Sequence, residues 1–197
     1  MGSTRMTDEI LFEDTGLTIK RLSAPGTMVP RPRNSRPDGS IDYGWLDLRD
    51  RPDLVDSVPE ARKHEALAEL LRAVAVSPDW LSIGCECTVN ERGDHWTATC
   101  NVDLTGRHED QPSSFEDVKG LTNAIVSGLR NTPPGMACGY VMEIAPLKLF
   151  FAHRTGAHAL TVWISGSGPD EETARRSLAF GLGLITDGLR GGVSQSS

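Results

Sequence analysis

The stretch IGCECTVNERGDHWTATCNVDL, residues 83 to 104, constrains the fold more than any other part of the chain. In its first half Ile83, Cys85, Cys87 and Val89 alternate with Gly84, Glu86, Thr88 and Asn90. In its second half Trp96, Ala98, Cys100, Val102 and Leu104 alternate with His95, Thr97, Thr99, Asn101 and Asp103. Two runs of period two, joined by a glycine-bearing turn, predict an antiparallel hairpin with one apolar and one polar face. For the two apolar sets to share a face, paired positions must sum to an odd number, which two turns satisfy. A two-residue turn at Gly93-Asp94 sets Cys87 opposite Cys100, whereas a four-residue turn at Glu91 to Asp94 sets Cys85 there. In both cases the three cysteines point inward and His95 points outward. Structural zinc takes ligands in close pairs on turns and needs a fourth, while unpaired cysteine is among the most buried residue types. The cysteines therefore read as core, and neither a metal nor a cofactor is expected.

On either side of this hairpin the period changes to that of a helix. Leu67, Leu70, Leu71 and Val74 recur at helical spacing and stop at Ser77-Pro78, behind a Ser57-to-Glu60 capping-box spacing. A second such spacing, Ser113 to Glu116, opens a run in which Phe115, Val118, Thr122, Ile125 and Leu129 share a face before Pro133-Pro134. A third helix follows Pro169, with Asp170, Glu171 and Glu172 in the first turn, where the helix dipole favours acids. It carries Leu178, Leu182, Ile185 and Leu189. Ahead of it, a four-residue turn at residues 154 to 157 predicts a second hairpin pairing Phe151 with Leu160, Leu149 with Val162 and Leu147 with Ile164. The other face of that hairpin shows Lys148, Thr161 and Ser165, together with Phe150 and Trp163. Two large aromatics there point to a face covered by the N-terminal strands or by a partner.

Upstream, residues 9 to 22 read as two short strands around Asp14-Thr15-Gly16, and Ser23 to Ser40 as a Pro/Arg-rich linker or extended arm. The expected organisation is a leader over 1–5, an N-terminal β-hairpin over 6–22 and the arm with a connecting strand over 23–56. An α+β core domain over 57–192 and a disordered tail over 193–197 follow. The expected fold class is α+β, two antiparallel β-hairpins alternating with three helices in the order α-β-β-α-β-β-α, preceded by the short hairpin and arm.

Composition narrows the function. With 197 residues, 38% hydrophobic and 24% charged, the chain can build one ordinary core. A formal net charge of −7 disfavours general nucleic-acid binding, which depends on Lys and Arg neutralising phosphate. The apolar runs are too short for a membrane span or a signal peptide, and four cysteines without such a signal are expected as free thiols in the cytoplasm.

Three clusters carry candidate chemistry. The predicted second hairpin sets His153 opposite His158 beside Arg154, an arrangement able to bind a metal or to pair a general base with an anion-holding cation. No third ligand and no fixed carboxylate accompany it. Asp14-Thr15-Gly16 resembles the triplet of aspartic proteases over three residues only, and a hairpin turn explains it. Gly166-Ser167-Gly168 precedes a helix as phosphate loops do, but the acids after it would repel phosphate. The arm has the clearest charge identity: Lys20, Arg21, Arg31, Arg33 and Arg36 lie in a stretch with no acid between Asp14 and Asp38.

The order of elements and the acidic balance together resemble, at fold level, the small dimeric secretion chaperones of type III systems, and that resemblance implies partner binding. The function expected first is a non-catalytic protein-binding or assembly module, adaptor or chaperone-like. Its contacts are expected at Arg31, Arg33, Arg36, Phe150 and Trp163, with another protein or a second copy of the chain as partner in a homo-oligomer. The alternatives are a small hydrolase or metal-dependent enzyme using His153, Arg154 and His158, and a nucleic-acid-associated factor using the basic arm.

Overall fold

In the computed structural model, which describes residues 8–32, 34–35, 41–42, 44–129, 137–151 and 156–193, a six-stranded mixed sheet carries three helices on one face. The strands are β1 (Glu9–Asp14), β2 (Leu17–Arg21), β3 (Met28–Val29), β4 (Asn34–Ser35), β5 (Ile41–Asp42), β6 (Trp80–Arg92), β7 (His95–Gly106), β8 (Cys138–Pro146), β9 (Leu149–Phe150) and β10 (His158–Gly168). The helices are α1 (Glu65–Ala75), α2 (Phe115–Leu129) and α3 (Glu171–Val193). In the main sheet the order is β1-β2-β8-β10-β7-β6. Its neighbours are antiparallel except β2 and β8, which run parallel. The short strands pair separately, β3 with β9 and β4 with β5. Among the described residues no helix is long and apolar enough to cross a membrane.

Helices α2 and α3 start where a side chain can satisfy orphan N–H groups. The Ser114 hydroxyl accepts from the Asp117 N–H at 3.2 Å and the Asp117 carboxylate accepts from the Ser114 N–H at 2.8 Å. That reciprocal box caps α2 one residue later than the expected Ser113-to-Glu116 pair. Asp170 accepts from the Thr173 N–H at 2.7 Å and caps α3. Helix α1 begins at Glu65 rather than near Ser57, because two 3₁₀ turns, Pro52–Ser57 and Ala61–Lys63, take up the chain between. Helix α3 is the central one, touching α1, α2, β7 and β10. It buries Ala174, Leu178, Leu182, Ile185 and Leu189 along one stripe. Complete burial of each leucine or isoleucine contributes about 2 kcal/mol. At its crossing with α2, a Cβ on Gly188 would lie 2.9 Å from the Ile125 Cα, so only glycine allows the two backbones this close.

The β6–β7 hairpin uses the two-residue turn, with Arg92 paired to His95 and Cys87 to Cys100. The Cα atoms of that cysteine pair are 4.1 Å apart, as in the narrow pairs of an antiparallel ladder, and the sulfurs form a disulfide. The expectation of four free thiols is thus corrected: register brings these two together, while Cys85 and Cys138 remain thiols. Ile83 departs from its expected company as well. A bulge between Ser82 and Gly84 shifts the alternation by one residue. Cys85 consequently packs on the helix side, whereas Ile83 joins Leu81, Val29, Leu147, Phe150, Ala157 and Ala159 in a second core.

The second strand pair is offset from the expected register. Leu160 pairs with Ile144, Val162 with Met142 and Ile164 with Tyr140, not with Phe151, Leu149 and Leu147. The partner strand is Cys138–Pro146, which ends at its proline because proline cannot donate to a ladder. The chain then leaves the main sheet, β9 pairs in parallel with β3, and Phe151 adopts φ 48°. Phe150 is consequently only 1% exposed, paired in register with Val29 of β3. The N-terminal hairpin joins the main sheet through β2, with Ile19 paired to Met142.

Candidate functional site

Because the helices cover one face, the odd-numbered residues of β7, β8 and β10 form the other. Register aligns them in rows. One row runs Lys20, Glu143, Thr161, Asp103, Gly84, and the next runs Thr18, Val141, Trp163, Asn101, Glu86. Trp163 stands near the middle of this face and is 44% exposed, although tryptophan normally buries most of its surface. Its indole N–H donates to Glu143 Oε2 at 3.0 Å, which fixes the ring orientation. Glu13, paired with Thr18, extends the second row. The face therefore carries four carboxylates, Glu13, Glu86, Asp103 and Glu143, against Lys20, Arg92 and the guanidinium of Arg31.

Arg31 reaches this face from the arm at Gly84. A Cβ built on Gly84 would lie 3.0 Å from Asp103 Oδ2 and 3.5 Å from each terminal nitrogen of Arg31. The missing side chain thus provides the space in which carboxylate and guanidinium approach each other. Asp103 also accepts from the Thr161 hydroxyl at 2.6 Å. Burial raises the Asp103 carboxyl above its ordinary value, an effect that the Thr161 bond and the Arg31 charge partly offset. The arm is held in place by the Trp45 N–H, which donates to the Arg31 carbonyl at 2.9 Å, and by the Trp45 indole N–H, which donates to the Ser82 carbonyl at 3.3 Å.

Beside Arg31 a cavity of about 430 Å³ opens between the arm, β6 and the 3₁₀ turns. Leu46, Leu48, Leu71 and Ile83 form its apolar part, and Arg31, Arg62 and Glu60 its charged part. Cys85 also lines it, and burial, with the carboxylate of Glu60 nearby, pushes that thiol up to about 12. A thiol so protonated is a poor nucleophile, since the thiolate is the reactive form.

The remaining candidates fall as follows. His158 pairs with Pro146 at the start of β10, so the register that set it opposite His153 is replaced. Its ring lies edge-on to Phe115 with centroids 5.9 Å apart, and burial, with Arg21 nearby, lowers its pKa. His153 and Arg154 lie outside the described residues, as do Arg33 and Arg36. Phe150, expected at a contact surface, lies in the second core under the chain's own β3. In the Asp14-Thr15-Gly16 turn the Asp14 carboxylate accepts from the Thr15 N–H at 2.7 Å, and Gly16 takes φ 80°. Among the described residues no group of three or more His, Cys, Asp or Glu side chains is arranged to hold a metal ion.

Sequence reasoning missed Gly84, Asp103, Glu143 and Trp45 as site residues. One signal for Gly84 was present: a lone glycine inside a strand marks a bulge or a close approach, and here it marks both. No family model matches the chain, and neither does any curated protein or solved structure.

Proposed function

We propose that the chain is a non-catalytic protein-binding module whose open sheet face receives an extended, arginine- or lysine-bearing segment of a partner protein. The observation that carries this reading is the Trp163–Glu143 pair, an exposed aromatic ring with a carboxylate 3.0 Å from its indole nitrogen. A cation is attracted to the face of tryptophan by the ring quadrupole and to the neighbouring carboxylate by charge. The excess of carboxylates on this face and the net charge of −7 support a basic occupant over an acidic one. The raised Cys85 thiol gives a reactive nucleophile no support.

The test is calorimetric titration with an arginine-rich peptide and with a glutamate-rich peptide of equal length. The arginine peptide is expected to bind, with affinity that falls as salt rises. Trp163→Ala is expected to weaken it roughly tenfold or more, the scale of an interface anchor. Equal binding of both peptides, or an unchanged affinity in Trp163→Ala, rejects the reading. Sedimentation of the protein alone tests whether a second copy supplies the basic segment, as a homo-oligomer requires.

A further inference from the structure

We infer that the groove between α2 and the β1–β2 hairpin receives α2 of a second copy of the chain, so that two copies pair about a two-fold axis. This goes beyond the open-face reading and uses the opposite face of the sheet.

Helix α2 covers β8 and β10, and α3 covers β10 and β7, so the helix layer thins toward β2 and β1 at the edge of the sheet. What the layer leaves there is a groove of about 670 Å³. Leu11, Phe12, Leu17, Ile19 and Val126 form its apolar part. Phe12 is 44% exposed although it pairs with Ile19, which is buried. An apolar sheet face is stable when a second layer covers it, and one more helix would complete this one. Removing the Phe12 ring from water gives such a helix an aromatic anchor.

Two observations select α2 of a second copy as that helix. The first is symmetry. The face of α2 that lines the groove carries Lys119, Asn123 and Val126, and a two-fold axis brings one and the same face of each copy together. The second is charge. At the start of α2 the Phe115 ring has the Arg21 guanidinium 4.2 Å from its centroid, and Arg21 pairs with Ile144. Leu17, beside the Asp14-Thr15-Gly16 turn, pairs with Tyr140 at the other end of β8, and Leu129, the last residue of α2, lines the groove there with Asp14. Helix α2 thus runs toward the Asp14 turn, and Lys119, in its second turn, stands at the far end of the groove from Asp14. An α2 that enters antiparallel from a second copy sets its own Lys119 beside Asp14, and symmetry repeats the pair at the other end. Antiparallel helices also set opposite ends of their dipoles together. Glu116 and Asp117 do not oppose this contact, because they line the cavity on the other side of α2. Lys119 approaches Glu116 at 3.8 Å, a contact long enough to yield to a partner carboxylate.

The experiment is sedimentation equilibrium of the full chain across the micromolar range. A mass of twice 21.3 kDa is expected. Phe12→Asp is expected to sediment as single chains while keeping its far-ultraviolet circular dichroism. Lys119→Glu and Asp14→Lys are each expected to weaken association roughly tenfold, since each contact occurs twice in the pair, and the two together should restore it. Trp163→Ala should sediment as the unaltered protein does, and Phe12→Asp should bind the arginine peptide as before, so failure of this interface and failure of the open-face reading are told apart. A single-chain mass at every concentration, association unchanged in Phe12→Asp, or a combined variant no tighter than the single ones overturns the inference.

Discussion

Gly84 and Asp103 face each other across β6 and β7, and the side chain that Gly84 lacks is the space in which Arg31 approaches the Asp103 carboxylate. Gly84→Val would place branched carbon where the structure leaves 3.0 Å to Asp103 Oδ2 and 3.5 Å to Arg31. Arg31 would have to leave the face. The expected loss is about 1–3 kcal/mol in urea unfolding, the usual cost of overpacking a fitted site.

The Asp103 carboxyl makes stability depend on pH. Burial raises its folded-state pKa above the ordinary 3.8, so the folded state holds this proton more firmly than the unfolded chain does. The favourable contribution is full below pH 3.8 and is lost as pH rises through the raised value. Asp103→Asn keeps an acceptor for the Thr161 hydroxyl but cannot ionise. Urea midpoints measured across the acid-to-neutral range should therefore fall less with rising pH in Asp103→Asn than in the unaltered protein. Parallel curves for the two proteins would show that folding leaves the Asp103 carboxyl's proton affinity unchanged.

The disulfide between Cys87 and Cys100 closes a sequence separation of 13 residues. A loop of that order stabilises by about 3 kcal/mol through the unfolded state. Alkylation in denaturant without reductant is expected to label two of the four cysteines, read by intact mass. Reduction should then lower the unfolding midpoint. Four labelled cysteines without reductant would place both sulfurs as thiols.

Trp163 and Ile164 are neighbours with opposite duties. Trp163→Ala should cost no more than about 1 kcal/mol of stability, because the ring is already 44% exposed, while weakening the arginine peptide roughly tenfold or more. Ile164→Ala, at a position 1% exposed, should cost about 2–5 kcal/mol and leave peptide affinity per folded molecule intact. Thermal melts and titrations on the same samples separate the two.

What could be read from the residues alone was the part governed by local period. The mixed α+β class, the stripe of α3 and the inward cysteines follow from alternation and helical spacing, since one wrong register would expose a whole face. The offset of the second strand pair was not legible. Leu147, Leu149 and Phe151 alternate as cleanly as Tyr140, Met142 and Ile144, and both sets satisfy the same local rule. What decides between them is tertiary: β3 offers Val29 as a partner for Phe150 and draws that segment out of the main sheet. The candidate site was the least legible part. Asp103, Thr161 and Glu143 become a row only when three strands separated in sequence align, and Arg31 reaches them from an arm that has no periodicity of its own.

The parallel pairing of β2 with β8 has a consequence for how the molecule assembles. Ile19 and Met142 touch across about 120 residues of intervening chain, and contacts of such long range form late because loop closure must precede them. During synthesis the β1–β2 hairpin emerges before β8 and must wait for it. Until it docks, β8 presents an unpaired edge that any extended strand can occupy. The hairpin, made well before β8, is therefore also the closing piece, and a chain stalled before that step exposes its most adhesive edge.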